Sequence, residues 1–381
     1  MRVAFDARSL HSPVLRGWDR YTVGLARALA GRGVAITLMC RERAPVHESH
    51  ARATGCPVMA LPDKGGLWWE QMSLPRAMRG FDLYHAPAEH GVPLFARRPT
   101  VLTLHSATAH SYRHLIARGL LKGRLRDYLG YDADPRAATL ANAYWYAQVA
   151  RADRIIAVSE FARDEIVELV HVEPARVTAI PLAVDDAFRA PPTDASARTA
   201  TLERLGVRRP YLLYVGGYEA HKNVAGLLEV FARVRARRPD LSLVMVGSSP
   251  PPAHLADQAE HLDFTPGNEV LFLHGLGAEL PALYDGAELF VSLSWRESFG
   301  LPALEAMTRG IAVVASGWGA APEVVGDGGR LVDPRDHQAA ADAVVALLDD
   351  PTRATRARAA ASRFNWDATA TATLGVYQSL A

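Results

Sequence analysis

The chain has 381 residues, of which 49% are hydrophobic and 22% charged, and its formal net charge is +1. This length is too great for one ordinary core and predicts two domains. The near-neutral charge gives no global indication of nucleic-acid binding, so we expect no nucleic-acid partner. Cys40 and Cys56 are too few for a disulfide framework or a zinc cluster, and they fit a reducing, cytoplasmic compartment.

The two ends of the chain differ mildly in charge. Residues 1–190 contain 25 Lys and Arg against 19 Asp and Glu, so the remainder is acidic. A solvated surface explains this asymmetry, and a basic half that faces an anionic partner is the alternative. The first ten residues are interrupted by Asp6 and Arg8, which predicts a strand and not a signal peptide. No apolar run approaches the ~18 residues of a membrane span.

Short apolar runs alternate with helical patterns through the N-terminal half. A helix is predicted over 19–33, where Val23, Leu25, Ala26 and Leu29 recur at helical spacing and glycines follow. Strands are predicted at 2–7, 34–40, 83–86, 100–105, 154–159 and 177–182. This order of strands and helices indicates buried parallel strands, hence an α/β, doubly wound domain.

The composition of the sequence changes at 183–200, where Pro191-Pro192 and small polar residues indicate a linker. Further strands are then predicted at 211–217, 241–247, 270–275, 289–294 and 312–317, with helices between them. We therefore expect Rossmann-like domains at 1–185 and 200–362 that face each other across a cleft. A C-terminal helix within 363–381 is a candidate to pack back on the first domain. Ligands of open α/β sheets bind at the carboxyl ends of the strands.

The stretch WRESFGLPALEAM, residues 295–307, places two glutamates around a predicted helix start. Pro302 suits the first helical position and Gly310 the stop. Free N–H groups at the helix N-terminus can bind phosphate or hydroxyl oxygens. Glu297, before the helix, and Glu305, in its first turn, can each accept from the vicinal hydroxyls of a sugar or a ribose. In the alternative, Glu305 only stabilises the helix N-terminus and Glu297 is solvated.

This stretch resembles the paired-glutamate signature of the retaining glycosyltransferases of family 4, which have the GT-B fold. The similarity continues through GIAVVAS, APEVVGDGGRLVDPRD and FNWD and covers nearly the whole chain. It implies that Glu297 holds hydroxyls of the donor sugar and that Glu305 holds the ribose. It also implies that the backbone of the segment between them contacts sugar and phosphate. The residues expected there are Ser298, Phe299, Gly300 and Leu301.

Lys222 follows a strand that ends in Gly216-Gly217 and precedes a predicted helix. A point charge at this place can neutralise a diphosphate, whereas an ordinary surface lysine is the alternative. In the resemblance, this lysine matches the phosphate-binding lysine of the family. Gly216 and Gly217 are therefore expected to border the donor.

Two positions in the N-terminal half also match the family. Gly17 lies in a loop where the family often has Gly-x-Gly-Arg-Tyr, and Asp19 replaces the second glycine. His105, at a strand end, matches a histidine that lies beneath the donor sugar, and Ser106 stands where the family often has Asp. The resemblance therefore implies that Gly17 contacts the donor and that His105, with Lys222 and Glu297, belongs to the catalytic group.

Asp132-Ala133-Asp134 spells a motif that holds a metal in another transferase fold, but no strand is predicted to lead into it. We interpret it as coincidental and expect neither a metal nor another cofactor. The segment 118–131 is basic and partly amphipathic. It predicts either a helix with a solvated face or a peripheral contact with anionic lipid at the inner membrane face.

The resulting prediction is a retaining hexosyltransferase that uses a nucleoside-diphosphate sugar in glycan or polysaccharide biosynthesis. Its acceptor would be a glycan, a lipid-linked molecule or a small molecule. The segments RYT and WWEQMSLP resemble bacterial polysaccharide mannosyltransferases, which favours GDP-mannose. The alternatives are a nucleotide-sugar 2-epimerase of the same fold and a non-catalytic subunit that binds a nucleotide-sugar. A dehydrogenase is disfavoured because the first strand–helix turn lacks G-x-G-x-x-G.

Overall fold

The computed structural model describes residues 1–12, 15, 17–96, 99–106, 108–119 and 135–380. These residues form two compact units. The first contains most of the described residues up to Ala183 together with the C-terminal segment from Phe364, and the second contains Val184–Arg363. The chain thus enters the second unit after Ala183 and returns to the first after Arg363.

The first unit is built on a parallel sheet, in which the described residues form seven strands in the order β3-β2-β1-β4-β5-β6-β7. The order reverses between β1 and β4, whose residues are buried almost throughout. The strands are β1 (Arg2–Asp6), β2 (Ala35–Arg41), β3 (Val58–Leu61), β4 (Leu83–Ala86), β5 (Thr100–Leu104), β6 (Arg154–Ala157) and β7 (Val177–Ala179). The sheet confirms the predicted α/β, doubly wound organisation.

Helices connect these strands. They are α1 (Gly17–Ala30), α2 (Glu48–Thr54), α3 (Gly66–Trp68), α4 (Leu74–Ala77), α5 (Thr108–Ala117), α6 (Pro135–Arg151) and α7 (Glu160–Val170). A π-helical turn, Trp69–Ser73, joins α3 to α4. The structure also contains β3, which was not predicted: its residues, VMAL, form an apolar run of only four, and three of the four side chains are exposed.

The second unit contains a parallel sheet in the order β10-β9-β8-β11-β12-β13, as far as the described residues extend. Its strands are β8 (Tyr211–Val215), β9 (Ser242–Gly247), β10 (Val270–His274), β11 (Leu289–Ser292), β12 (Val313–Ser316) and β13 (Gly329–Val332). Its helices are α8 (Asp186–Arg189), α9 (Ala195–Arg204), α10 (Val224–Arg235), α11 (Ala253–His261), α12 (Leu280–Gly286), α13 (Leu301–Thr308), α14 (Ala321–Val325), α15 (His337–Leu348) and α16 (Arg353–Ala361). The sequence pattern also missed β13, an edge strand.

The predicted linker over 183–200 is wrong for most of its length, because this segment forms α8 and the start of α9 within the second unit. Phe188 is buried against Tyr284, which fastens α8 to the unit. The Asp194 side chain accepts hydrogen bonds from the backbone of Ser196 and Ala197 and thereby caps α9. The small polar residues of this segment, which are also typical of linkers, therefore form the start of a helix.

The last helix, α17 (Trp366–Gln378), belongs to the first unit and packs on α1. Gly24 leaves the space that the Trp366 ring occupies, since a Cβ atom at Gly24 would lie 2.1 Å from that ring. The Tyr377 hydroxyl lies 2.6 Å from Nδ1 of His85 on β4. In the described part of the chain, no helix combines the length and apolar character that crossing a membrane requires.

Candidate functional site

A fixed loop after β8 places Lys222 in the second unit. The Tyr214 hydroxyl donates to the carbonyl of Gly217 at 2.6 Å, and a Cβ atom at Gly216 would lie 2.7 Å from that same hydroxyl oxygen. Asn223 adopts a left-handed conformation, with φ of 51°, and its Nδ2 donates to the carbonyl of Leu293 at 3.0 Å. These contacts tie the lysine loop to the loop that follows β11.

Lys222 and Glu297 form an ion pair. The Lys222 Nζ lies 2.9 Å from Oε1 and 3.1 Å from Oε2 of Glu297, and the Ser294 hydroxyl donates to Oε1 at 2.8 Å. About a fifth of each charged side chain is exposed, 20% for Lys222 and 23% for Glu297. Burial alone would raise the pKa of the Glu297 carboxyl, but the adjacent ammonium holds this pKa below its usual range. The carboxylate is therefore ionised at neutral pH.

Helix α13 begins directly after this pair. Gly300, with φ of 98°, precedes the helix, and Gly310, with φ of 81°, follows its end as predicted. Pro302 is the second helical residue and not the first, and Glu305 is the fifth, so it lies in the second turn and not in the first. Because the helix starts at Leu301, its N-terminal end, the positive end of the helix dipole, follows directly on the loop that carries Glu297. Pro302 has no N–H, and the N–H groups of Ala303 and Leu304 donate to the carbonyl of Gly300.

Glu305 is buried, with 1% of its surface exposed, and its Oε2 accepts a hydrogen bond from the Tyr284 hydroxyl at 2.9 Å. A small pocket lies beside Glu297 and the start of α13. Among its lining residues are Tyr214, Ser294, Glu297, Phe299, Gly300 and Trp318. Glu305 is absent from this lining, as far as the described residues define it. The structure therefore brings Lys222, Glu297 and the helix start together, and it places Glu305 on the buried face of the same helix.

Three neighbours of Glu297 escaped the sequence analysis. Ser294 holds its carboxylate, as described above. Gly319, with φ of 70°, lies so close that a Cβ atom would be 2.7 Å from the Glu297 backbone nitrogen, and the Ala320 N–H donates to the Glu297 carbonyl at 2.9 Å. The signal that could have found this loop is the Gly-x-Gly of SGWGAAPEVV directly after the β12 strand.

His105 lies in the first unit, directly after β5. Its Nε2 donates to the carbonyl of Pro87 at 2.9 Å, which leaves Nδ1 as an acceptor in the neutral ring. The Tyr21 ring meets the imidazole edge to face, with centroids 5.0 Å apart. Burial lowers the pKa of His105 to about 4, against the opposing effects of the Pro87 carbonyl and Asp19. The imidazole is therefore neutral near pH 7.

Carboxylates lie near His105, although its own strand end supplies none. The Ser106 hydroxyl donates to Oε1 of Glu89 at 2.9 Å. Asp19, in the first turn of α1, is 2% exposed and interacts electrostatically with His105. Sequence reasoning overlooked Glu89, whose signal was its position just after the buried strand β4.

The remaining predicted site residues are divided between the units. Gly17 opens α1 in the first unit, which also holds His105, whereas the other predicted donor-binding residues lie in the second. Within the described ranges, no group of three His, Cys, Asp or Glu side chains is arranged to hold a metal ion. Asp132 and Asp134 lie outside those ranges, as does most of the basic segment 118–131.

Both halves of the chain match models of known protein families. Residues 15–188 match the model described as Glycosyltransferase Family 4, and residues 202–364 match that of Glycosyl transferases group 1. D-inositol 3-phosphate glycosyltransferase of Kineococcus radiotolerans is 31% identical in an alignment of 412 positions that covers 95% of this chain and 90% of that protein.

Two further similarities concern sugar transfer and fold. O-antigen chain mannosyltransferase B of Escherichia coli is 33% identical over 238 residues, which cover 59% of this chain and 60% of that protein. The chain thus spans less than two thirds of that relative's length. The crystal structure of HepE from Anabaena, in complex with UDP and glucose, superposes with a TM-score of 0.75 at 20% identity and covers 100% of both chains. This structural likeness concerns the fold alone.

Proposed function

The chain belongs to Glycosyltransferase Family 4 and is a glycosyltransferase of the GT-B fold, and from this premise we propose that it transfers a hexose, with retention, from a nucleoside-diphosphate sugar to an acceptor hydroxyl. The observation that carries the proposal is the Lys222–Glu297 pair at the N-terminus of α13. It combines a cation, the positive end of a helix dipole and an ionised carboxylate in one place.

The diphosphate and the sugar of the donor would bind to different groups of this site. A diphosphate carries negative charge, so it is stabilised by the Lys222 ammonium and by the helix N-terminus. A sugar carries hydroxyl groups, which can donate hydrogen bonds to the Glu297 carboxylate. As the bond between sugar and phosphate breaks, charge grows on the leaving oxygen, and the same lysine stabilises it without any rearrangement.

We favour mannose as the hexose and GDP as the nucleotide, because an O-antigen chain mannosyltransferase is among the relatives. A 2-epimerase of the same fold is the alternative, and it would need no acceptor. Thermal-shift measurements with GDP-, UDP- and dTDP-sugars would identify the donor, since a ligand that binds the native state raises its unfolding midpoint. Incubation of that donor alone then separates the two activities: an epimerised nucleotide-sugar would contradict glycosyl transfer.

Retention follows from the way we assign the carboxylates. Glu297 is engaged on the donor side by Lys222, so it is poorly suited to deprotonate an acceptor. The leaving phosphate lies on the face that a retained product requires and can accept the acceptor's proton. Glu89 is the residue that could instead serve as the base of an inverting enzyme. Proton NMR of the first product decides between the two, because a β-linked product from an α-linked donor would contradict retention.

The acceptor is proposed to be a glycan or a lipid-linked molecule, and a peripheral membrane contact would suit the latter. The first unit exposes large apolar side chains, with Leu67 and Phe95 each 67% exposed and Leu140 72% exposed. Sedimentation with vesicles of anionic lipid, compared with neutral vesicles, measures such a contact. Full recovery of the protein in the supernatant with both kinds of vesicle would exclude the membrane contact.

A further inference from the structure

Tyr284 forms a hydrogen bond with Glu305, the buried glutamate on the helix of the proposed donor site. It lies near the end of α12, has no exposed surface, and donates its hydroxyl to Oε2 of Glu305 at 2.9 Å. Its ring stacks on Phe290, with centroids 6.2 Å apart, and meets Phe188 edge to face at 5.5 Å. The ring is thus held by apolar neighbours, and the hydroxyl is aimed at the carboxylate.

Asp285, the residue after Tyr284 in α12, forms a second link between α12 and α13. Nε of Arg309, which follows α13, donates to Oδ1 of Asp285 at 2.6 Å, and both side chains are almost fully buried. Arg309 also donates to the carbonyl of Ala190 at 2.8 Å. The position of α13 is therefore fixed by α12 and by the segment after α8, at a distance of one turn from Glu305.

We propose that Tyr284 is a positioning residue that orients Glu305 toward the ribose of the donor nucleotide. The inference rests on the proposed function, and on the contact with ribose hydroxyls that the family resemblance implies for Glu305. A buried carboxylate needs hydrogen-bond donors to remain ionised and in one orientation. Tyr284 supplies such a donor from a ring that cannot rotate away. It acts through Glu305 and has no contact with the reacting bond, so its loss should weaken nucleotide binding and leave the chemical step nearly unchanged.

The test is Tyr284→Phe, which removes the hydroxyl and keeps the ring. We expect the KM for the donor to rise about tenfold or more, the size of one lost hydrogen bond to a charged group, with kcat within about twofold. The preference for the ribonucleoside diphosphate over its 2′-deoxy analogue, measured as a ratio of inhibition constants, should fall by a similar factor. A purely structural role would not change this ratio.

Tyr211→Phe is the matched control. Tyr211 is equally buried, and its hydroxyl donates to the carbonyl of Leu283 on the same helix at 2.6 Å, so its hydrogen bond goes to the backbone and not to Glu305. It should lower stability and leave the ribose preference unchanged. Wild-type-like KM and ribose preference in Tyr284→Phe would overturn the inference while glycosyl transfer stands. A wild-type protein that neither binds nor turns over any nucleotide-sugar would overturn the proposed function itself.

Discussion

The ammonium of Lys222 lies within 3.1 Å of both carboxylate oxygens of Glu297, although the two residues are 75 positions apart in the sequence. Each charge is thus neutralised by the other in a place that is only about a fifth exposed. A diphosphate would compete for the lysine, and a sugar hydroxyl for the glutamate. Because the pair is already assembled, donor binding would exchange the partners of two charges that are already partly desolvated, and the diphosphate would bring the only new charges into the site.

Replacement of Lys222 by methionine removes the charge and keeps most of the aliphatic chain. We expect kcat/KM to fall about 10²-fold or more, roughly 3 kcal/mol of lost electrostatic stabilisation. Steady-state kinetics with the identified donor measures this loss. Lys64→Met is the control, because Lys64 is exposed in the first unit, and it should retain full activity. Turnover of Lys222→Met within threefold of wild type would exclude the lysine from the site.

Ser294 should matter although no sequence signal marked it. Its hydroxyl donates to the Glu297 carboxylate at 2.8 Å, so Ser294→Ala removes one hydrogen bond to a charged group. We expect kcat/KM to fall about tenfold, or about 1.5 kcal/mol. The exposed Ser248 offers a neutral comparison on the same unit. Equal kinetics for Ser294→Ala and Ser248→Ala would show that Lys222 alone is sufficient to hold the carboxylate.

The packing of α17 on α1 predicts opposite effects for two glycine substitutions. Gly24→Ala would place a methyl group 2.1 Å from the Trp366 ring, and we expect a loss of about 1–3 kcal/mol in the free energy of unfolding. Gly375→Ala lies on α17 with no atom within 4 Å, and it should gain about 0.5–1 kcal/mol. Urea unfolding of both variants measures these changes. A neutral Gly24→Ala would mean that the C-terminal helix can shift without loss.

The stability of the first unit should decrease in mild acid. The pKa of His105 is lowered from 6.5 to about 4 in the folded protein, so between these values the unfolded chain binds the additional proton. The stabilising contribution is therefore complete above pH 6.5 and is lost as the pH falls toward 4, with a magnitude on the order of 1–3 kcal/mol. His105→Gln keeps an N–H donor and does not titrate, so it should flatten part of the slope. The exposed His254 is the control, and an unchanged slope in His105→Gln would contradict the assignment.

Activity is expected to survive chelation. Lys222 and the start of α13 can stabilise the negative charge of the leaving diphosphate, as a metal ion does in other transferases. EDTA should leave the rate of transfer unchanged, and the double variant Asp132→Ala with Asp134→Ala should remain active. Loss of activity on chelation that Mg²⁺ restores would identify a metal requirement and direct attention back to these two aspartates.

The strands that could be predicted from the sequence are those with continuous apolar runs. The buried strand β9, with six buried residues, is an example, since only burial on both faces produces such a run. The edge strand β13, GRLV, lacks this signal because Gly and Arg begin it, and the apolar run of β3, VMAL, has only four residues, three of them exposed. Each is positioned by pairing with the strand that precedes it in the chain, β2 or β12, and the sequence of the strand itself does not encode this pairing.

The candidate site shows the same division. Glu297 and the start of α13 could be predicted because a helix beginning with Gly and Pro has a local signature. The pairing of Glu297 with Lys222 and Ser294 depends on two loops meeting at the ends of β8 and β11. The hydrogen bond from Tyr284 to Glu305 depends on the packing of two helices, so neither contact could be found from spacing along the chain.

The return of the chain to its first unit has a consequence for biosynthesis. Tyr377 and His85 are 292 positions apart, so the ribosome must translate the whole second unit before this contact can form. The segment Val184–Arg363 is continuous and can fold as soon as it has left the exit tunnel. The N-terminal strands are made earlier, yet the groove that receives Trp366 stays open until the last helix emerges. During translation, the middle of this polypeptide is therefore the first part able to reach its final form.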